Sequence, residues 1–316
     1  MPKFIFPRLS ALIKPQYILR PRQAIRRIAI EMASTTPRPS AATIRLPWGL
    51  EVEVDPRENI GLALYTQGIY ELNVTEALWR LAEPGETAVD VGANLGYMSS
   101  LLAARLGSAG TVHCIEPHPQ VFRRLAENVA RWAHQRDCAT VLLHEAALGE
   151  KSGSICLIVP AGFADNQGES WTEGSASTLP HATSLPVRMI AFDDLIPPRQ
   201  KVGVVKLDIQ GAELSAFEGM RNHLQAKTVR DIVFEESNPF PAPTHIYLRA
   251  LGYTIFGLTD DFFCVRALAD RPPPPHPYKG APNFLATAAP ERATKLLDGR
   301  IWKSFGIGSL VRRRMN

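Results

Sequence analysis

The sequence predicts an α/β fold: a mostly parallel, seven-stranded sheet that ends in an antiparallel C-terminal hairpin. Three observations carry this expectation. Between residues 87 and 144, short apolar runs alternate with stretches of helical periodicity. A glycine turn, Gly92-Ala93-Asn94-Leu95-Gly96, joins the first apolar run to the first helical stretch. A second apolar run, Val204–Leu207, ends in Asp208 and turns through Gln210-Gly211 into another helix. Strand–helix–strand repeats of this kind imply parallel pairing through right-handed crossovers, a Rossmann-like arrangement.

Residues 1–40 mix arginine, proline and aliphatic residues, and 21–32 read as a short basic helix with Ile25, Ile28 and Met32 on one side. That helix is either part of a loosely ordered extension or an interfacial helix drawn to anionic lipid. Residues 43–54 alternate around Trp48-Gly49 as a hairpin, and 75–83 read as a helix capped by Thr75. The repeat then runs strand 87–91, helix 96–106, strand 111–116, helix 119–134 and strand 140–144. In the second helix Phe122, Leu125, Val129 and Trp132 share one face. Strands are expected at 155–159 and 186–192, separated by a polar stretch from Gly162 to Ser177 that holds Trp171, with His181 just beyond. Such a long polar stretch is usually a lid or a disordered loop. Trp171 either stacks on a sugar ring or anchors its loop, and His181 reads as a surface residue more readily than as a catalytic one. Strand 202–208, helix 212–225, strand 230–236 and helix 244–251 follow, and a last hairpin returns at Phe262–Arg266. Four consecutive prolines at 272–275 mark the expected end of the compact part. The organisation expected is therefore a basic extension over 1–40, the main domain over 41–270, and a Pro-rich extension over 271–316 that packs loosely apart from Asn283–Ala286.

The glycine turn is the most informative segment. Glycine is needed where a chain turns sharply or where a ligand must approach the backbone. The helix N-terminus beyond it is expected to offer free N–H groups. The spacing is GxxxG and lacks the full GxGxxG of dinucleotide binders. Asp90 lies inside the strand, two residues before Gly92, where a carboxylate would repel pyrophosphate and suit an ammonium group. Glu116 ends the next strand, placed to accept hydrogen bonds from both hydroxyls of a ribose. Asp90, Gly92, Asn94, Gly96 and Glu116 together read as a site for an ammonium-bearing nucleoside such as S-adenosylmethionine. Glu145, beyond the third strand, either reads the adenine amino group or is a solvated loop residue.

In an open α/β sheet, ligands sit outside the carboxyl ends of the strands where the strand order reverses. The first strand and the Val204–Leu207 strand are expected to be neighbours there, which brings Asp208 and Glu213 towards the transferable group. A hydroxyl becomes a competent nucleophile when a positioned base takes its proton. Asp208 is the expected general base, with Lys206 and Glu213 as orienting groups. A divalent ion held by Asp208, Glu213 and Glu235 is the alternative route, since hard cations take oxygen ligands.

Composition restricts the function classes. Hydrophobic residues make up 45% and charged residues 21%, enough apolar material for an ordinary core. The net charge of +4 is concentrated in residues 1–40, where eight basic residues face one acid, so no body that wraps nucleic acid is expected. Cys114, Cys138, Cys156 and Cys264 are scattered without zinc-ligand spacing and read as buried free thiols. Pro7, Arg8, Lys14 and Pro15 interrupt the N-terminal apolar stretch, so it is not expected to act as a secretory leader. No run approaches the roughly 20 apolar residues of a membrane span. The expected location is the cytoplasm, with the basic N-terminus as the point of any peripheral membrane contact.

VDVGANLGYMSSLLA, IEPHPQVFRRLAENV, EAALGEKSG, GSASTL and above all KLDIQGAELSAFEGM resemble the FkbM family of methyltransferases. The resemblance spans roughly residues 43–266 and is strongest at 87–128 and 204–220. It implies the class I methyltransferase fold, S-adenosylmethionine as methyl donor, and a hydroxyl acceptor on a sugar, glycolipid, polysaccharide or natural product. The family usually has Glu before the glycine where this chain has Gln210, which weakens the metal alternative. Two further readings stand beside it. An N-methyltransferase would place an Asn-Pro-Pro-Tyr-like turn after the fourth strand, where this chain has Asp208-Ile209-Gln210-Gly211; Asn238-Pro239-Phe240-Pro241 follows a later strand. A non-catalytic nucleotide-binding module would bury the same acids in ion pairs.

Overall fold

The computed structural model describes residues 14–19, 21–32, 37–133, 137–160, 171–172, 183–274 and 280–305. In chain order, helices α1 (Pro15–Ile18) and α2 (Pro21–Met32) precede the antiparallel hairpin β1 (Ala42–Arg45) and β2 (Glu51–Val54). Helices α3 (Asn59–Gln67) and α4 (Leu72–Leu81) lead into the alternating part: β3 (Thr87–Val91), α5 (Tyr97–Leu106), β4 (Thr111–Ile115), α6 (Pro119–Trp132) and β5 (Thr140–His144). Next come β6 (Ala147–Leu148), β7 (Gly153–Val159), β8 (Trp171–Thr172), β9 (Thr183–Ile190) and the short helix α7 (Phe192–Leu195). The chain continues through β10 (Val202–Leu207), α8 (Glu213–Glu218), α9 (Arg221–Gln225), β11 (Val229–Glu235) and α10 (Pro243–Ala250). It closes with β12 (Thr254–Asp260), β13 (Val265–Ala269), β14 (Asn283–Thr287) and α11 (Pro290–Leu297).

The main sheet has eight strands in the order β13-β12-β14-β11-β10-β3-β4-β5. From β11 to β5 the pairing is parallel, while β14, β12 and β13 are antiparallel. β3 pairs β4 on one side and β10 on the other, so the strand order reverses at β3, as the sequence predicts. Side-chain alternation distributes the core over both faces. Ala88, Val112, Val204 and Val233 pack with α4 and α5, whereas Val89, Val91, Val205, Leu207 and Phe234 pack under α7, α8 and α10. All six residues of β10 are buried, which explains its unbroken apolar reading and makes Lys206 in its midst an exception.

The count of seven strands is corrected to eight. Asn283–Thr287 inserts between β11 and β12, pairing Phe234 with Phe284 and Ile255 with Ala286. Among the described residues after 270, those beyond Thr287 are also tied into the fold, contrary to the loose packing expected of them. Asp231, buried in β11, accepts hydrogen bonds from Thr287 Oγ1 at 2.7 Å, Arg230 Nε at 2.9 Å and Arg292 Nη1 at 3.0 Å. Beyond α11, the carboxylate of Glu76 on α4 accepts from the backbone N–H groups of Lys303 and Ser304. It also pairs with Arg80, both side chains being about 1% exposed or less. Arg80 in turn donates to the carbonyls of Leu296 and Ile301. Two buried charges survive here because each has a full set of partners.

Three smaller differences have local causes. The helix expected at 75–83 begins at Leu72, and Thr75 lies inside it, its hydroxyl donating to the Tyr70 carbonyl at 2.7 Å. The helix expected at 212–225 is broken at Gly219-Met220, because the Asp193 carboxylate accepts from the N–H groups of Asn222 and His223 and caps α9 separately. The strands near 155 and 186 do not join the main sheet; they form a separate four-stranded sheet, β6-β9-β7-β8. α2 forms where the basic helix was expected, with the Arg26 guanidinium 4.0 Å from the centre of the Tyr65 ring. No described helix is long and apolar enough to cross a membrane.

Candidate active site

A cavity of about 330 Å³ opens at the carboxyl ends of β3, β4, β10 and β11, beside the strand-order reversal. One end is apolar: Ile115, Pro117, Ala146, Ala147, Leu148 and Leu157 line it next to Glu116. The other end is polar and holds Tyr70, Glu71, Lys206, Asp208, Gln210 and Glu235.

The glycine turn lies between them, and its backbone is already satisfied. Gly92 and Ala93 both donate to the Ile115 carbonyl at 3.0 Å, Gly96 donates to the Ala93 carbonyl, and Leu95 donates to the Asn94 side chain at 2.7 Å. The Asn94 N–H donates to Glu116 Oε2 at 3.0 Å. From Gly92 to Gly96 every backbone donor has an acceptor inside the protein, so the turn itself offers none to a ligand. A phosphate-binding loop needs those donors for its ligand.

The glycines themselves serve close packing. Gly92 sits at φ 72°, and a Cβ there would lie 2.0 Å from the Asp208 carbonyl oxygen, so only glycine lets β3 turn beside the end of β10. Gly96, at φ 93°, faces Leu125 and Trp132 of α6 and does not line the cavity; a Cβ there would meet Leu125 at 2.8 Å. Asn94 takes a left-handed φ of 49° and lines the cavity.

Glu116 follows the last residue of β4 and is held by two backbone donors, Asn94 N at 3.0 Å and His118 N at 2.9 Å, one on each carboxylate oxygen. Each oxygen keeps a lone pair for a further donor. Burial pushes this carboxyl up to about 7, against the two N–H groups that pull it down.

Asp90 is a correction. Alternation along β3 puts it on the face of Ala88, beneath α5, where it accepts from Ser99 Oγ at 2.5 Å. It is fully buried and lies outside the cavity lining. Its cationic neighbour is Lys206, whose Nζ is 3.8 Å from Asp90 Oδ1 and 3.4 Å from Asp208 Oδ2 and donates to the Gly92 carbonyl at 3.1 Å. Burial pulls the Lys206 ammonium down, but Asp208 and Asp90 outweigh it and hold the group above its ordinary range.

Asp208 lies at the end of β10 with its side chain 30% exposed to the cavity. Gln210, in the left-handed region at φ 53°, reaches Asp208 Oδ1 at 3.3 Å and Glu235 Oε2 at 3.2 Å with the same amide nitrogen. Burial, then the charges of Asp208 and Glu71, push Glu235 up to about 8. The same acids and its own burial raise the Tyr70 phenol well above its usual range.

Glu213 and Glu145 do not reach the cavity. Glu213 turns back to accept from the N–H groups of Ile209 at 3.3 Å and Gly211 at 3.1 Å, so it shapes the turn that carries Asp208. Glu145 is exposed, and the apolar wall beside it is built by Ala146, Ala147 and Leu148. With Glu213 turned away, Asp208, Glu213 and Glu235 do not form a metal set, and among the described residues no group of three or more His, Cys, Asp or Glu side chains is arranged to hold a metal ion. Asn238 is not among the residues that line the cavity, and its amide donates to Glu236 Oε1 at 2.8 Å. His181 and all of Gly162–Ser177 except the backbone of Trp171 and Thr172 lie outside the described residues. Tyr70, Glu71 and Leu157 are site residues that sequence reasoning missed. Tyr70 and Glu71 precede the fold's repeating part, and Leu157 comes from the separate sheet. An acid between Tyr70 and Leu72, in an otherwise apolar approach to a helix, is the one signal that pointed there.

Residues 90–255, over half of the chain, match the methyltransferase FkbM domain. Over 158 residues the chain is 30% identical to the hexuronic acid methyltransferase AglP of Haloferax volcanii, a match covering 49% of this chain and 59% of that protein. It is 29% identical over 219 residues to the AMB antimetabolite synthetase AmbE of Pseudomonas aeruginosa, covering 59% of this chain and 10% of that protein. The chain thus spans less than two thirds of the length of either curated relative. Among solved structures it is similar to a methyltransferase FkbM from Methylobacillus flagellatus, at 17% identity and a TM-score of 0.40 over 71% of this chain and 52% of that one. A SAM-dependent O-methyltransferase from Thermotoga maritima is similar at 14% identity and a TM-score of 0.40, over 69% of this chain and 65% of that one.

Proposed function

Because the chain belongs to the methyltransferase FkbM domain family, we propose that it transfers a methyl group from S-adenosylmethionine to a hydroxyl of a sugar or a related polyhydroxylated acceptor. The family implies the donor, and the cavity suits it. Glu116, clamped by two backbone donors, presents its remaining lone pairs where a ribose would need acceptors. The apolar wall of Ile115, Ala146, Ala147 and Leu148 suits the flat face of an adenine. The observation that carries this reading is the saturated glycine turn beside Glu116. It has no backbone donors left for a pyrophosphate and an acid in place for a nucleoside.

When bound, the donor supplies a methyl group already activated on a sulfonium. The chain's own residues prepare the acceptor. Asp208 would take the proton of the attacking hydroxyl, and the donor, when bound, would supply the methyl group and depart as the thioether. Lys206, fixed by Asp90 and the Gly92 carbonyl, holds one oxygen of Asp208, while Gln210 holds the other. Glu213 keeps the Ile209–Gly211 turn in the shape that aims Asp208. Positioning of this kind supplies much of the rate in an in-line substitution. The relative's hexuronic acid specificity supports a sugar as the acceptor class.

The test is methyl transfer from labelled donor to a panel of sugars by the wild-type chain and by Asp208→Asn. Transfer by wild type, abolished in Asp208→Asn with donor affinity retained, supports the assignment. An Asn variant that turns over at the wild-type rate rules Asp208 out as the base.

A further inference from the structure

Two carboxyl groups stand side by side in the polar end of the cavity. β10 and β11 are parallel neighbours with Leu207 in register with Phe234. The next residue of each, Asp208 and Glu235, therefore emerges at adjacent strand ends, about 4.8 Å apart in backbone spacing, and both line the cavity. The Gln210 amide nitrogen spans them, 3.3 Å from Asp208 Oδ1 and 3.2 Å from Glu235 Oε2. Their surroundings differ. Lys206 Nζ is 3.4 Å from Asp208 Oδ2, whereas no ion pair among the described residues includes Glu235. Two neighbouring carboxyl groups beside one cation hold a proton more readily than two separate ones, and that proton belongs to the acid without the cation. The pair thus offers an acceptor at Asp208 and an O–H donor at Glu235.

Resting on the methyltransferase reading above, we propose that Glu235 is a specificity residue of this site: its carboxyl donates a hydrogen bond to the oxygen next to the attacking hydroxyl, so that the acceptor is a vicinal diol. One hydroxyl of such a diol donates to Asp208 and its neighbour accepts from Glu235, which matches two oxygens on adjacent carbons to two acids on adjacent strands. A hydroxyl without that neighbour leaves the Glu235 donor unpaired in a half-buried place, and sites of that kind reject the analogue that lacks the group. Burial, then the charges of Asp208 and Glu71, keep the proton on Glu235 up to about pH 8. The other titratable groups around it are Lys206, which stands beside Asp208, Glu213 at the start of α8, and Tyr70 before α4. Glu236 follows it, with its carboxylate turned to Asn238 and Thr244, and β14 sets the uncharged Asn283 opposite it. Above that pH Glu235 has no proton to give, and a second negative charge stands beside the base.

The test is label transfer by the full chain from S-adenosylmethionine to the methyl gluco-, galacto- and mannopyranosides and to each of their monodeoxy derivatives, with the methylated position mapped by NMR. For wild type, removing a hydroxyl next to the methylated one is expected to lower kcat/KM for the acceptor at least about tenfold. Glu235→Ala is expected to bring the glycoside and that deoxy derivative to within about twofold of each other, whereas a purely structural role would weaken both and leave their ratio as it was. Wild-type transfer is expected to fall as pH rises through about 8. That fall should be missing in Glu235→Gln, whose amide donates at every pH and which also covers the case of an alanine variant that does not fold. A neighbouring-deoxy glycoside used as well as its parent overturns the proposal and leaves the sugar methyltransferase reading standing. So does a ratio that survives Glu235→Ala, an alkaline fall that persists in Glu235→Gln, or wild-type transfer that rises through pH 8. Failure of every glycoside to accept label refutes the sugar reading itself, and this inference with it.

Discussion

Replacing Gly92 by alanine tests how the cavity is held open between two strands. The residue sits at φ 72°, where a side chain costs roughly 1–2 kcal/mol in backbone strain. The new Cβ would also lie 2.0 Å from the Asp208 carbonyl oxygen. That obstacle is backbone at the end of a fully buried strand, so it cannot rotate aside as a flexible side chain would. Forcing an extra carbon into such a place costs a further ~1–3 kcal/mol. The expected loss for Gly92→Ala is therefore roughly 2–5 kcal/mol. Gly85→Ala is the control: its φ is 83°, but the nearest atom to its Cβ is 3.8 Å away, so it should lose only the strain, about 1–2 kcal/mol. Urea denaturation of the two variants reads the difference as a change in midpoint at constant slope. Calorimetry with S-adenosylmethionine should show weaker binding for Gly92→Ala, because relief of the clash moves Asp208 and the turn after it. Equal losses in the two variants would refute the close approach of β3 and β10 on which the site's geometry rests.

Two other perturbations probe the frame and the titrating groups. Glu76→Gln leaves Arg80 buried without its counter-charge and weakens the anchor of residues 303 and 304, so it should cost about 3–5 kcal/mol in urea denaturation. A loss under 1 kcal/mol would mean the C-terminal segment is not part of the cooperative fold. Glu116 and Glu213 are raised to about 7 and Glu235 to about 8 from an ordinary 4.5. The folded chain therefore holds protons that the unfolded chain has released between about pH 4.5 and pH 8, and stability should fall as pH rises through that window. Glu235→Gln should flatten the dependence by up to ~1.4 kcal/mol per pH unit, and an identical slope in the variant would contradict the burial of that carboxyl.

The parallel core of the fold was legible because strands buried on both faces read as short apolar runs between helices of clear periodicity. β3, β4, β5, β10 and β11 all fall where that pattern puts them. β14 was harder to place. Its apolar run Phe284–Ala286 is as clear as the others, but the prolines before it suggested that the compact part had ended, and the antiparallel insertion depends on contacts distant in sequence. The site was legible by position more than by role. Glu116 and Asp208 stand at strand ends and reach the cavity, whereas Asp90 lies one step back on its strand, and alternation turns it under α5. Glu213 carries the acid expected of a helix start, but nothing local shows that its carboxylate folds back onto Ile209 and Gly211. Tyr70 and Glu71 carried only the faint signal of an acid before a helix, because it is the packing of α4 against the sheet that brings them to the cavity.

The most direct measurement is a calorimetric titration of S-adenosylmethionine and of NAD into wild type and Glu116→Gln. The account predicts saturable binding of S-adenosylmethionine, weakened about tenfold or more in Glu116→Gln by loss of a charge-assisted hydrogen bond, and no comparable binding of NAD. S-adenosylmethionine affinity that ignores the substitution, or tighter binding of NAD, would contradict it.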